Sequence, residues 1–102
     1  MGQRPYRYEF TPLAEQDLND IFDYISLDSP QAAEKLVEQI QNTVEAVCDY
    51  PFSRPLLTDR ILRDKGYRII GVKNFHLFYT INNQVITIQR VLYGRRNYEA
   101  LL

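Results

Sequence analysis

Residues 67–93 read YRIIGVKNFHLFYTINNQVITIQRVLY, and their hydrophobic pattern indicates which class of fold to expect. The pattern has a period of two in YRIIGV, in NFHLFYTI and in QVITIQRVLY, which is typical of β-strands. Asn82 and Asn83 stand between the last two segments and favour a hairpin turn, because asparagine tolerates positive φ angles. We therefore predict three consecutive strands, the last of which ends at Gly94.

The N-terminal half has a helical period instead. After a short predicted strand at 5–10, the pair Thr11-Pro12 offers a helix cap followed by a proline suited to the first helical position. Ser29-Pro30 repeats this signal, so two helices are predicted, over 12–27 and from Pro30 to about Tyr50. The apolar stripe of the first helix comprises Ala14, Leu18, Ile21, Phe22 and Ile25, and three aspartates, Asp17, Asp20 and Asp23, fall largely outside it.

Two helices joined by so short a break form an antiparallel hairpin, which must bury its apolar stripes against another layer. The prediction is one α+β domain over 1–102 with the order β-α-α-β-β-β. An antiparallel sheet would carry the helical hairpin on one face. Residues 51–66 are expected to be a loop with one helical turn near 58–62, and residues 95–102 a short, helical tail.

Composition excludes several classes of protein. No apolar run reaches the roughly 20 residues of a membrane helix, and the N-terminus lacks the apolar stretch of a signal peptide. The single cysteine, Cys48, is expected to be a reduced core residue. A cytoplasmic protein that contacts no membrane is therefore expected. The chain has neither a metal-ligand cluster nor a phosphate-binding glycine loop, so no metal and no cofactor is predicted.

Charge is divided unevenly along the chain. Residues 1–59 contain four Lys/Arg and eleven Asp/Glu (4 − 11 = −7), whereas residues 60–102 contain eight and two (8 − 2 = +6). This asymmetry indicates either an anionic partner for the basic half or neutralisation of a basic sheet by acidic helices. If the basic half faces a target, the residues that would contact it are Arg60, Arg63, Lys65, Lys73 and Arg95.

The ordered set of motifs resembles the RelE/ParE superfamily of toxins over essentially the whole chain. Gly66-Tyr67-Arg68 opens one strand and His76-Leu77-Phe78-Tyr79 lies in the next. The run from Ile88 to Arg96, IQRVLYGRR, is similar to the "RVLHGRR" ending frequent in that superfamily. The resemblance implies a growth-inhibiting toxin of a bacterial type II toxin–antitoxin (plasmid stabilisation) module, neutralised by a cognate antitoxin. A homodimer or a toxin–antitoxin hetero-oligomer is the assembly it suggests.

Two branches of the superfamily imply two targets. RelE-like members cleave mRNA on the ribosome, and ParE-like members poison DNA gyrase. If this chain is a metal-independent endoribonuclease, the resemblance assigns catalysis to Arg68, His76, Arg96 and Tyr98. RelE-like members usually have arginine where this chain has His76, and many have a second basic residue where it has Ile70. These departures favour the ParE-like branch, while both the enzyme and a non-toxic binding module of the same fold stay open.

Two residues also have structural interpretations. Arg90 is set among Ile86, Ile88 and Leu92, which favours a structural ion pair over a role at the surface. His76 alternates with Phe75 and Leu77, so it is expected to face solvent or a hydrogen-bond partner on the sheet.

Overall fold

The computed structural model of the chain describes residues 5–94 and 98–102. Its elements follow the predicted order and confirm the α+β class. They are β1 (Arg7–Phe10), α1 (Pro12–Ser26), α2 (Pro30–Asp49), α3 (Arg60–Asp64), β2 (Arg68–Val72), β3 (Phe75–Asn82), β4 (Val85–Tyr93) and a 3₁₀ turn (Tyr98–Ala100).

Both long helices begin at the predicted caps. The Thr11 hydroxyl accepts a hydrogen bond from the backbone N–H of Ala14 at 3.0 Å, and the Ser29 hydroxyl accepts one from Ala32 at 3.1 Å. Each cap is followed by a proline in the first turn, where its missing N–H leaves no helical bond unmade. The local signals in the sequence therefore locate both helix starts.

The sheet has the order β1-β4-β3-β2. Strands β2, β3 and β4 form the predicted antiparallel meander, but β1 pairs with β4 in parallel, Arg7 opposite Val85 and Phe10 opposite Ile88. The antiparallel sheet predicted for the C-terminal half is confirmed, and β1 adds a parallel strand whose partner was not predicted. The chain crosses through the helices and two further strands between β1 and β4, and a crossover of that length permits a parallel pair.

The turn between β3 and β4 lies one residue later than predicted. Asn82 still pairs with Val85, and the two turn residues are Asn83 (φ 51°) and Gln84 (φ 65°). Two successive positive φ angles give a turn whose twist matches that of the adjoining strands. Gly94 ends β4 as predicted, with a φ of 67°.

Strand β4 contains a bulge that keeps its apolar residues on the helix side of the sheet. Tyr79 pairs with Ile88 and Phe78 pairs with Arg90, which leaves Gln89 as the extra residue. The Gln89 carbonyl accepts the Thr11 hydroxyl at 3.1 Å, and its amide donates to Thr80 at 3.1 Å. Because of this bulge, β4 contributes apolar residues on both sides of Gln89 to the core under the helices.

The main core lies between the helical hairpin and one face of the sheet, which we call the helix-side face. Leu36, Ile40 and Val44 of α2 pack there against side chains of β2, β3 and β4, namely Ile70, Val72, Phe75, Leu77, Tyr79, Ile86, Ile88 and Val91. Burial of these apolar side chains is the chief stabilising contribution to the fold. The opposite face of the sheet, the second face, carries a smaller cluster that includes candidate functional residues.

Candidate functional site

The second face is covered by the loop after α2 and by the C-terminal residues. Four buried side chains form its centre, Leu57, Leu62, Phe78 and Leu92, and four partly buried ones surround them, Tyr67, Ile69, Tyr98 and Leu102. Leu62 reaches the cluster from α3, a five-residue helix capped by Asp59, whose carboxylate accepts the Leu62 N–H at 3.0 Å. The helical turn predicted near 58–62 is thus present, two residues later, and it positions one wall of this face.

His76 lies on the second face, on the same side of β3 as Phe78. Its Nδ1 is 2.9 Å from the carbonyl oxygen of Gly94, which can only accept, so Nδ1 carries the proton and donates it. Among the described residues, Nε2 has no hydrogen-bond partner. The bond joins the start of β3 to the end of β4 and confirms the expectation of a hydrogen-bond partner on the sheet.

Tyr98 shares the second face with His76. Its ring centroid is 4.9 Å from that of Phe78, and the His76 ring is 6.5 Å from Phe78 on the same strand. The Arg90 Nη1 donates to the carbonyl of Leu101 at 3.1 Å and holds the C-terminal residues against the sheet. The structure therefore brings His76 and Tyr98 to one face, each near the buried ring of Phe78.

Arg68 is on the other face of the sheet. It pairs with Tyr79 in register, whereas His76 pairs with Gly71, and the alternation of β2 puts Arg68 with Ile70 and Val72 on the helix-side face. Three register positions also separate Arg68 from His76, about 10 Å along the strand. The two side chains cannot contact one phosphate group together.

The guanidinium of Arg68 is fixed by its own surroundings. Its Nη1 donates to the carbonyl of Arg54 at 2.6 Å, and its Cζ lies 5.2 Å from the centroid of the Phe52 ring. Beneath it, the Tyr79 hydroxyl donates to the Pro51 carbonyl at 3.3 Å. Burial raises the pKa of the Tyr79 phenol, while the charges of Arg68 and Arg54 act in the opposite direction.

The other predicted target-facing residues are distributed around the second face and the turns. Arg60 and Arg63 lie on α3 and Lys65 follows it, all three exposed. Lys73 occupies the turn between β2 and β3 with a φ of 57°, a strained conformation for a residue with a side chain. Arg95 and the candidate catalytic Arg96 lie outside the described residues.

Arg90 forms the ion pair expected from its apolar surroundings. Asp17 accepts from Nε at 2.7 Å and from Nη2 at 2.9 Å, and it also accepts the backbone N–H of Val91 at 3.0 Å. The hydrogen bond to Asp17 raises the pKa of the Arg90 guanidinium, which keeps its charge. Asp17 thus faces the sheet and not the solvent, although it lies off the apolar stripe of α1. The reason is that α1 runs beside β4 beyond the end of β1.

Within residues 5–94 and 98–102, His, Cys, Asp and Glu side chains nowhere form a group of three or more that could hold a metal ion. None of the helices in those ranges has the length and apolar character that a membrane span requires.

The fold is similar to that of chains in solved structures of toxin–antitoxin systems. It matches a chain of the chromosomal ParDE TA system from P. aeruginosa with a TM-score of 0.72 and 20% identity, covering 91% of this chain and 100% of that one. It also matches a chain of the RelBE2 toxin–antitoxin complex from Mycobacterium tuberculosis, with a TM-score of 0.61, 21% identity, and coverage of 87% and 98%. A search of curated protein sequences finds no match.

The sequence itself identifies the family. Residues 8–98 match the family described as ParE toxin of type II toxin-antitoxin system, parDE. The match spans every helix and strand except the first residue of β1. The chain therefore belongs to the ParE toxin family, which confirms the resemblance noted in the sequence.

Phe52 and Arg54 have no counterpart among the residues singled out from the sequence. They lie in a loop marked only by Pro51 and Pro55, and no periodicity relates them to Arg68. Only the return of this loop along β2, through the pairing of Leu56 with Arg68, brings the three side chains together.

Proposed function

We propose that this toxin inhibits growth by binding DNA gyrase and does not cleave RNA. The observation that carries the proposal is the division of the candidate catalytic side chains between two faces of the sheet. Attack by a 2′-hydroxyl needs a base, an acid and cations around one phosphate. Arg68 is about 10 Å along the strand from His76 and on the opposite face, so the described residues supply no such arrangement that includes both.

The described arginines of the sheet are also engaged in structural contacts. Arg68 is held by Arg54 and Phe52, and Arg90 is held by Asp17 and the carbonyl of Leu101. The Arg90 guanidinium could not move to a phosphate without losing these hydrogen bonds. The use of arginine side chains in structural hydrogen bonds supports inhibition by protein contact, as expected for the ParE-like branch.

A contact surface is available on and beside the second face. Ile61 on α3 is 67% exposed, and the basic residues Arg60, Arg63 and Lys65 lie around it. Exposed apolar side chains among arginines are typical of protein–protein interfaces. We propose that gyrase contacts this basic region, together with Lys73 and Arg95, and that the toxin acts in the cytoplasm.

We further propose that a cognate antitoxin binds and neutralises the chain. Membership of a toxin–antitoxin family supports this, as does the large apolar exposure of Tyr24, Leu27, Tyr50 and Phe52, at 60% or more each. A partner that covers such side chains and binds only the native state must raise its melting temperature. An unchanged melting temperature at saturation with the antitoxin would contradict this part of the proposal.

One observation favours a second candidate, a RelE-like endoribonuclease. His76 has no partner at Nε2 among the described residues and lies on the same face as Tyr98. Histidine is the side chain best suited to proton transfer near neutral pH. A site built from His76, Tyr98 and Arg96, without Arg68, would need no residue from the helix-side face.

Induced expression separates the two candidates. We expect induction of the unaltered toxin to cause DNA breaks and the SOS response, with RNA 5′ ends unchanged from those of an uninduced culture. Arg95→Ala combined with Arg96→Ala should reduce growth inhibition at equal expression, because the basic region makes the contact. Codon-specific mRNA cuts that disappear in His76→Ala would establish the endoribonuclease instead. Growth unaffected by induction would point to the binding module without toxicity.

A further inference from the structure

Phe52, Arg54 and Arg68 form a cluster at the start of β2. Some N–H donors of Arg68 are not used in the structural contacts of this cluster. Arginine has five N–H donors, and Arg68 uses one of them on the Arg54 carbonyl. The Phe52 ring holds the guanidinium plane in place at 5.2 Å. The remaining donors therefore have a fixed position before any ligand arrives, which lowers the entropic cost of binding.

The two arginines of this cluster form no ion pair within residues 5–94 and 98–102. Neither Arg54 nor Arg68 has a carboxylate at ion-pair distance there, whereas Arg90 is satisfied bidentately by Asp17. Burial raises the pKa of the Tyr79 phenol, and the charges of both arginines lower it. A guanidinium that is already oriented and that donates to the carbonyl of a second, exposed arginine suits a carboxylate.

The surroundings of the cluster fit a peptide better than a nucleic acid. Tyr50 is 72% exposed, Phe52 60% and Leu56 38%, so apolar side chains border the charge. Phe52 contacts Arg68 and also packs against Tyr6 in an edge-to-face pair at 6.3 Å, so it is not a free platform for base stacking. Nucleic-acid binding also requires many phosphate contacts, and this cluster offers two cations.

We propose that Arg54 and Arg68, supported by Phe52, form a carboxylate-binding site that captures an aspartate or glutamate side chain of the antitoxin. Apolar residues next to that acid would cover Tyr50 and Leu56. The site lies on the helix-side face, away from the basic region assigned above to gyrase. The inference rests on the antitoxin partnership of the proposed function and is independent of the target.

The test measures binding of the full-length toxin to the antitoxin expressed from the adjacent reading frame, by titration calorimetry. Arg68→Lys keeps the charge but removes the planar fork, and we expect it to weaken binding about tenfold or more. Arg54→Gln changes an exposed side chain without structural contacts among the described residues, and should weaken binding severalfold. Arg63→Gln on α3 is the matched control and should change affinity by less than about threefold.

A double-mutant cycle identifies the captured carboxylate. Each Asp and Glu of the antitoxin is replaced by Asn or Gln, and one replacement should cause no further loss when Arg68→Lys is already present. Melting curves of Arg54→Gln and Arg68→Lys, compared with the unaltered toxin, establish that both variants are folded. A competition with single-stranded RNA tests the nucleic-acid alternative.

Several results would overturn the inference. One is an affinity of both variants for the antitoxin within threefold of that of the unaltered toxin. Another is a double-mutant cycle in which the loss of affinity from Arg68→Lys adds to that from every acidic replacement in the antitoxin. A third is RNA binding that fails in the variants while antitoxin binding persists. No complex between unaltered toxin and antitoxin would overturn the proposed partnership as well. Loss of gyrase inhibition with antitoxin binding intact in Arg54→Gln would contradict both the role of Arg54 in this site and the assignment of the two faces.

Discussion

Replacing Asp17 by alanine should destabilise the toxin strongly, although Asp17 lies on the polar side of the sequence pattern of α1. The change removes both hydrogen bonds from the Arg90 guanidinium and the one from the Val91 N–H. It leaves a charged side chain and a backbone donor without their acceptor. Helix α1 also loses a fixed point of contact with β4.

The magnitude follows from burial. The side chains of Arg90 and Asp17 are 15% and 13% exposed, so water replaces the lost carboxylate only in part. Removing one partner of a buried ion pair costs about 3–5 kcal/mol, and residual exposure places this pair near the lower figure, about 3 kcal/mol. For a domain of this size, that loss lowers the melting temperature by about 12–24 °C.

Urea denaturation followed by circular dichroism measures this loss as a lower midpoint with an unchanged slope. Asp23→Ala, an exposed aspartate on the same helix, is the matched control and should stay within about 0.5 kcal/mol of the unaltered chain. Combining Asp17→Ala with Arg90→Met should recover part of the loss, with a coupling energy of about 2 kcal/mol. If Asp17→Ala is as stable as Asp23→Ala, the ion pair does not join α1 to β4.

Three further changes test other parts of the structure. Thr11→Ala removes a helix cap and the hydrogen bond to Gln89, so the free energy of unfolding should fall by about 1–2 kcal/mol in urea titrations. Tyr79→Phe tests the raised pKa of the buried phenol. The native state keeps the phenol proton at a pH where the unfolded chain ionises, so the free energy of unfolding falls as pH rises above about 10. The melting temperature of the variant should therefore fall less steeply with pH in that range. His76→Ala should weaken growth inhibition, measured at equal expression, without abolishing it, because His76 is one contact among many.

The elements that local signals specify could be predicted from the sequence. Thr11-Pro12 and Ser29-Pro30 locate the helix starts because a cap and a proline act within one turn. The period of two after Gly66 predicts β2, β3 and β4, because alternation reflects burial of one side of a strand. The pairing of β1 with β4 could not be predicted in this way, since strand partners far apart in the chain leave no local pattern.

The candidate site was harder to predict because it depends on which face each residue occupies. Arg68 and His76 are both basic residues on neighbouring strands, and only the register of β2 against β3 shows that they face opposite ways. Asp17 seemed a surface residue because helical periodicity describes one apolar stripe. The hydrogen-bonding need of a free strand edge, which Asp17 meets at Val91, is not visible in that pattern.

The most direct test of the central claim uses purified toxin, purified DNA gyrase and a supercoiled plasmid. We expect the toxin to stabilise gyrase–DNA cleavage complexes, seen as linear plasmid after protein digestion, and added antitoxin to prevent this. His76→Ala should retain a measurable part of the effect. Gyrase activity unaltered by excess folded toxin, together with cleavage of mRNA on ribosomes by the same preparation, would contradict the account.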